Sequence, residues 1–351
     1  MIESKDIHQH RKDEHLSLAI KYWKERKNQT LGLDFSDLRL IPNSLPEIAL
    51  DEVDLRTPFL GQVFTSPFYI EAITGGTEKT NTINAQLAEV AKSQNLAMAV
   101  GSQSIAIKYP ELESGFRQVR EINPDGFIFA NLGANHSLEN AKKAIDMIEA
   151  NALELHINTA QELSMDEGDR TFYWLEHINE ISGKLDIPVI VKEVGFGISQ
   201  DIFKKISQTA VSAINVGGAG GTNFAWIERQ RGKNEFNIDH HGFSTVESLI
   251  EARLSENQKP LIATGGIQSA EDILKSLMLG ASMTSTAGFA LSTLMKKGVE
   301  GLEATFNQWQ SDLQKFYTLQ GVRDTAQLQE QDLLYSEKVM HFINQRKNQI
   351  D

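Results

Sequence analysis

Short apolar runs recur along this chain, and each gives way at once to a segment bearing glycine or a polar amide. The runs fall at 68–72 (FYIEA), 96–100 (LAMAV), 127–130 (FIFA) and 152–157 (ALELHI), then at 188–192 (PVIVK), 212–216 (SAINV), 260–263 (PLIA) and 281–285 (ASMTS). Most are continuous rather than alternating, as parallel strands buried on both faces must be. Helical patterns at 84–94, 138–150, 201–208, 246–254 and 270–279 lie between them, at spacings that suit βαβ units. The long gap from 212 to 260 holds a charged excursion at 228–241. An open doubly wound sheet would concentrate its glycines at one switch point. Here they follow strand after strand, which predicts a closed (β/α)8 TIM barrel with its active face at the strands' C-terminal ends. Residues 1–65 read as a lead-in with a charged helix near 6–28. Residues 301–351 read as helices at 302–317 and 335–349. The expected organisation is a single barrel domain over 1–351 with N-terminal and C-terminal helical extensions.

Composition narrows the function. Lys and Arg total 34 against 47 Asp and Glu, a net charge of −13, so a nucleic-acid partner is not expected. With no cysteine, disulfides, thiolate metal sites, iron–sulfur clusters and a thiol nucleophile are excluded. Mean hydropathy is −0.30, and no apolar run approaches the roughly 18–20 residues of a membrane helix. The polar opening, Met1-Ile2-Glu3-Ser4-Lys5-Asp6, does not read as a secretory signal. The expectation is a cytoplasmic protein with no membrane partner.

Chemistry-bearing residues cluster after the strands. The loops at 263–267 (ATGGI) and 286–288 (TAG) follow the seventh and eighth strands and each open a helix, the usual phosphate site of this fold. The sixth loop, 217–222 (GGAGGT), leaves space for a flat group beside Thr222. Lys192 ends the fifth strand inside an apolar run. A buried lysine there needs an anion or a chemical role, either as a Schiff-base amine or as a cation beside an electron-rich ring. In the fourth strand, alternation puts His156 and Asn158 on one face, with Gln161 and Glu162 next. One carboxylate among neutral donors suits Mg²⁺ completed by a phosphorylated ligand, and is too poor for zinc. Near the N-terminus, Arg11, Lys12 and His15 share one face if helical, a set able to clamp a diphosphate. No carboxylate pair is evident in the strand-end motifs.

Arg11-Lys12-x-x-His15, Thr74-Gly75-Gly76, Gly101-Ser102-Gln103, His156-x-Asn158-x-x-Gln161-Glu162, the 192–197 segment KEVGFG, the 220–228 segment GGTNFAWIE and Thr264-Gly265-Gly266-Ile267 occur in this order. With these motifs, the chain resembles the type 2 isopentenyl-diphosphate isomerases over nearly its full length. The resemblance implies FMN, Mg²⁺ on a small-molecule diphosphate substrate, NADPH as the flavin's reductant, and a homo-oligomer, tetramer or octamer. It implies flavin contacts at Thr74, Gly75, Gly76, Ser102, Asn131, Lys192, Thr222, Gly265, Gly266, Ala287 and Gly288. Substrate contacts fall on Arg11, Lys12, His15, His156, Asn158 and Gln161, the metal on Glu162, and catalysis on Gln161, His156 and Lys192. Ser104 stands where many members carry Arg, Gly217 where Ser is frequent and Asn215 where Asp is common. The eighth loop, 285–288 (STAG), is also an unusual version.

The implied reaction interconverts isopentenyl and dimethylallyl diphosphate by a 1,3-allylic proton shift, with reduced FMN as acid and base. Protonating an unactivated alkene needs an acid and an electron-rich neighbour for developing positive charge. A reduced flavin can supply both, leaving position and field to the protein. The alternative is an FMN-dependent 2-hydroxyacid dehydrogenase on the same barrel, which needs a late histidine base with arginines. His240 and His241 are the late histidines, and they sit in the excursion without that arginine pattern.

Overall fold

A computed structural model describes residues 5–25, 32–166, 168–232, 236–238 and 240–347. Eight parallel strands close into a barrel: β1 (Phe68–Ile70), β2 (Met98–Ala99), β3 (Ile128–Gly133), β4 (Ala152–Ile157), β5 (Val189–Glu193), β6 (Ala213–Asn215), β7 (Leu261–Thr264) and β8 (Met283–Thr286). All eight predicted runs become barrel strands in chain order, and β8 pairs with β1 to close the ring.

The two faces of each strand explain why the runs are continuous. Phe68, Ile70, Ile128, Leu153, Leu155, Val189, Val191 and Ile214 point outward into the layer shared with the helices. Tyr69, Ala99, Phe129, Ala152, Ile190, Ala213, Ile262 and Met283 point inward and fill the barrel. Both sets are buried, at about 1.5–3 kcal/mol for each large side chain, so neither face shows a polar alternation. Further along the inward face the character changes. Two residues on from each member of the inner set stand Glu71, Gly101, Asn131, Glu154, Lys192, Asn215, Thr264 and Ser285. The barrel interior is therefore apolar below and polar at the end where the loops begin.

The lower end is plugged by a hairpin, Thr57–Phe59 with Gln62–Phe64, whose turn residues Leu60 and Gly61 both take positive φ. Its Phe59 and Phe64 join the inner core, with Phe127 packed against them. The flanks meet through an antiparallel pair, Leu38–Leu40 with Leu333–Tyr335. That pairing delays the last helix to Glu337–Lys347, later than its expected start at 335. The helix expected at 302–317 is the second part of Gly288–Gln320, which Gly298 interrupts at φ 70. Phe306 and Trp309 on it lie 5.5 and 5.6 Å from the Phe68 ring and bind the flank to β1. The expected N-terminal helix is Lys5–Glu25. Its last expected residues, 26–28, lie outside the described residues, as do 348–349 of the C-terminal helix and 233–235 and 239 of the excursion. No described helix is long and apolar enough to cross a membrane.

Candidate active site

A cavity of about 600 Å³ opens where the strands end. Lys192, Asn131 and His156 line its floor. The loops after β6, β7 and β8 line one wall, the segments after β2 and β4 another, and the helix Lys5–Glu25 lies over it. Of the residues expected to act, Arg11, Lys12, His15, Thr74, Ser102, Asn131, His156, Asn158, Gln161, Glu162, Lys192, Thr222, Gly265, Gly266, Ala287 and Gly288 all line this one space. Gly75 and Gly76 do not. A Cβ on Gly75 would strike the Phe116 ring, and one on Gly76 the Ile105 side chain, so their smallness serves packing behind the wall.

The floor corrects the expectation that the strand ends hold no carboxylate pair. Glu71 and Glu154 are both fully buried there, on either side of Lys192. Lys192 Nζ lies 2.7 Å from Glu71 Oε1 and 3.5 Å from Glu154 Oε2. Tyr69 OH bridges the acids, 3.2 Å from Glu71 Oε2 and 3.1 Å from Glu154 Oε1. Glu71 also accepts from Asn215 Nδ2 and Ser285 Oγ, at 2.7 and 2.8 Å. Burial opposes charge on Glu71, but Lys192 and the donated hydrogen bonds hold its carboxyl at about 2. Burial, reinforced by repulsion from Glu71, lifts Glu154 to about 8. Lys192 sits above its ordinary value: burial works against its charge, and the two acids outweigh burial. The ammonium is thus fully paired, which disfavours the free-amine role that a Schiff base needs. The unusual residues Asn215 and Ser285 are the donors that complete Glu71.

His156 is positioned from the same layer. Asn131 Nδ2 donates to Glu154 Oε2 at 3.1 Å, so its Oδ1 faces His156 Nδ1 at 2.9 Å. This assigns the proton to Nδ1 and leaves Nε2 as an acceptor. Burial first, then Lys192, Lys12 and His136, push the imidazole down to about 3, so it is neutral.

The N-terminal helix is a roof with one buried face rather than an exposed charged segment. Leu16 is fully buried and Lys12 and His15 are half-buried. The helix is fastened by Thr77 Oγ1 donating to Asp13 Oδ1 at 2.6 Å, and by Trp23 Nε1 donating to Thr222 Oγ1 at 2.9 Å. Burial, with Arg11 beside it, lowers the Lys12 ammonium to about 8. Lys12 has no carboxylate partner among the described residues. His15 does: its Nε2 lies 2.7 Å from Glu228 Oε1. Burial lowers the His15 pKa, with Glu228 pulling the other way. Glu228 also touches Arg231 and accepts from Gln161 Nε2 at 3.4 Å. Against burial, His15 and Arg231 keep it ionised.

Glu162 opens the wall after β4. Asn158 Nδ2 donates to its Oε1 at 2.9 Å and the Asp169 amide to its Oε2 at 2.7 Å. Burial raises its pKa. No cluster of three or more acidic, His or Cys groups able to hold a metal unaided occurs among the described residues. Ser104, in the position of the absent arginine, lies with its Oγ 2.8 Å from His136 Nε2 and 2.9 Å from Ser102 Oγ. His136, lowered by burial, is therefore a neutral partner in that corner.

On the opposite wall the loops stack closely. A Cβ on Gly265 would fall on the Gly218 carbonyl, and one on Gly217, at φ 47, on the Glu193 carbonyl. Gly217 thus accommodates an approach that a serine would block. The helix starting at Gly288 has no side-chain cap, so its first N–H groups face the cavity end uncapped. His240 and His241 are exposed and outside the cavity lining.

Glu71, Glu154, Glu228 and His136 are site residues that reading the motifs did not single out. For Glu154 the signal was available: it stands two residues before His156, on the same inward face.

Comparison with known proteins agrees with this geometry. The FMN-dependent dehydrogenase family matches residues 111–335. Among solved structures, a putative lactate oxidase from Pediococcus acidilactici shares the fold at TM-score 0.68 and 15% identity, over 96% of each chain. A mandelate oxidase shares it at TM-score 0.68 and 13% identity, over 93% of this chain and 99% of that one. The fold and site define an FMN-dependent barrel enzyme. The isopentenyl-diphosphate delta-isomerase of Lactococcus lactis subsp. lactis is 62% identical over 99% of this chain and all of that one. That of Latilactobacillus sakei subsp. sakei is 46% identical over 97% of each. This chain belongs to the isopentenyl-diphosphate delta-isomerase family, within the FMN-dependent barrel enzymes.

Proposed function

We propose that the cavity binds FMN against the Lys192 floor, receives isopentenyl diphosphate beneath the N-terminal helix, and converts it to dimethylallyl diphosphate. The observation that carries this reading is the pairing of two anion-receiving ends within one cavity. At one end, the uncapped Gly288 helix start and the Gly265–Gly266 loop suit a flavin phosphate. At the other, the buried Lys12 ammonium, lacking a carboxylate, suits a diphosphate.

The residues present fit the flavin. Thr74 Oγ1 is buried at the cavity wall with no hydrogen-bond partner among the described residues, as a ring-edge contact would require. Thr74, Ser102, Asn131, Lys192, Thr222, Gly265, Gly266, Ala287 and Gly288 would hold it. Mg²⁺ fits Glu162 with oxygen donors from Asn158 and Gln161, completed by diphosphate oxygens and water. Bound there, reduced FMN would supply the proton exchange and the electron-rich face that the alkene needs, with NADPH as the source of its electrons.

The protein's own residues position and enclose. Arg11, with its planar fork, and Lys12 take the diphosphate charge. Neutral His156, held through Nδ1 by Asn131, presents Nε2 to the cavity, where it accepts rather than repels. Asn158 and Gln161 orient the substrate, and Glu228 anchors His15 and Gln161 from behind. The floor ammonium of Lys192 favours negative charge on whatever ring lies above it.

The test is direct. Purified protein supplied with FMN, Mg²⁺ and NADPH without oxygen should form dimethylallyl diphosphate from isopentenyl diphosphate. No product there, with oxidation of a 2-hydroxy acid instead, would move the chain to the dehydrogenase reading.

A further inference from the structure

The cavity floor holds more acid than its one cation balances. Seven strands send a side chain into one layer: Glu71 from β1, Asn131 from β3, Glu154 from β4, Lys192 from β5, Asn215 from β6, Thr264 from β7 and Ser285 from β8. Each is buried, at 8% exposure or less. Lys192 is the layer's cation, and it faces two acids. An uncompensated charge in such a place is costly, so two ionised carboxylates against one ammonium is not a stable composition.

We propose that Glu71 and Glu154 hold a single proton between them beneath Lys192, and that this shared proton keeps the floor neutral. The geometry says where the proton resides. Glu71 receives Lys192 and the Ala72 amide on Oε1, each at 2.7 Å, and Asn215 and Ser285 on Oε2. Every close partner there donates, which stabilises an ionised carboxylate. Glu154 has fewer and longer contacts: Tyr69 at 3.1 Å, Asn131 at 3.1 Å and Lys192 at 3.5 Å. A protonated Glu154 donates through Oε1 to Tyr69 OH, which donates onward to Glu71 Oε2. The Oε2 of Glu154 stays an acceptor for Asn131 and so fixes the His156 tautomer. Glu154 is faced by Tyr69 and Glu71 on β1, Asn131 on β3 and Lys192 on β5; no further charged group is recorded against it among the described residues. Its proton should therefore leave near pH 8, making the floor negative beneath the cavity.

The experiment reads the acid directly by infrared difference spectroscopy of the cofactor-free protein. Raising the pH through 8 should remove two carboxylic-acid carbonyl components from the wild type, that of Glu154 and that of Glu193, whose buried carboxyl also lies at about 8. The Glu154 component should be missing from Glu154→Gln at all pH values. It should also be missing at neutral pH from Glu71→Gln, because Glu154 alone then ionises against Lys192. Its persistence in Glu71→Gln would show that Glu154 is protonated by burial alone and would overturn the sharing. Should Glu71→Gln not fold, Glu71→Gln/Asn215→Asp restores a carboxylate on the strand paired with Lys192, and the component should return there. A wild type and a Glu154→Gln protein that lose the same components as the pH passes 8 would overturn the proposal whatever Glu71→Gln does.

A kinetic arm rests on the isomerase reading. The kcat of the wild type should fall about tenfold per pH unit above the Glu154 pKa, and Glu71→Gln should lose that break. Absence of isomerase activity in the wild type would remove only this arm. A kcat profile identical in wild type and Glu71→Gln would reject any effect of the floor's charge on the reaction while leaving the reaction standing.

Discussion

Trp23 Nε1 donates a 2.9 Å hydrogen bond to Thr222 Oγ1, fastening the helix over the cavity to the loop after β6, 199 positions further along the chain. The indole occupies the space that a side chain at position 288 would need. A glycine at the head of a cavity-facing helix and a tryptophan on the roof thus account for each other.

Trp23→Phe keeps most of the packing and removes the donor, at a net cost of about 0.5–1.5 kcal/mol to roof docking. The KM for the diphosphate should rise by about two- to tenfold. The melting temperature and the dissociation constant of FMN should stay close to wild type, because the barrel is untouched. Saturation curves that coincide with wild type would mean that the roof docks without this bond.

Lys12 gives a pH dependence of definite sign. Burial depresses its ammonium to about 8, and it must be charged to hold a diphosphate. Affinity is therefore full below pH 8 and declines as the pH rises through it. The effect appears in kcat/KM, where it adds to that of the floor, which lowers kcat as well. Lys12→Arg remains charged in this range, so its kcat/KM should be flatter above pH 8 even if lower throughout. A decline as steep as that of wild type would assign the titration to another group.

Glu162→Gln tests the metal assignment. The amide preserves shape and one acceptor but removes the anion that Mg²⁺ requires. The Mg²⁺ concentration for half-maximal activity should rise at least about tenfold, reflecting loss of a charge-assisted contact of about 1.5–3 kcal/mol. FMN affinity should not change. Loss of FMN together with a lowered melting temperature would make Glu162 part of the scaffold.

The barrel was legible because its strands are buried on both faces, which leaves apolar runs that no surface strand would tolerate, each ended by glycine. The hairpin at 57–64 and the strand pair joining 38–40 to 333–335 were not. They are three residues long on each side, too short for a period, and the second depends on a partner almost three hundred residues away. The walls of the site were legible from motifs. The floor was legible only in part: Lys192, Asn131 and His156 stood out, but Glu71 and Glu154 look like interruptions within strands, and only the closed ring brings them to Lys192. Reading the inward face backwards from His156 reaches Glu154 at once. Glu71 has no such neighbour, and its role appears only when Asn215 and Ser285 are seen to donate to it. The Glu228–His15 pair was hidden for the same reason: its members lie on elements that meet only over the finished barrel.

If flavin serves a redox-neutral proton shift, with the protein contributing a paired floor cation and a cationic roof, product should far outnumber the reductant consumed. The measurement is the ratio of dimethylallyl diphosphate formed to NADPH oxidised, in one anaerobic reaction with FMN-loaded protein and Mg²⁺. The account predicts many turnovers for each NADPH, with the reductant consumed only in bringing the flavin to its reduced state. One NADPH oxidised for every product molecule would contradict it.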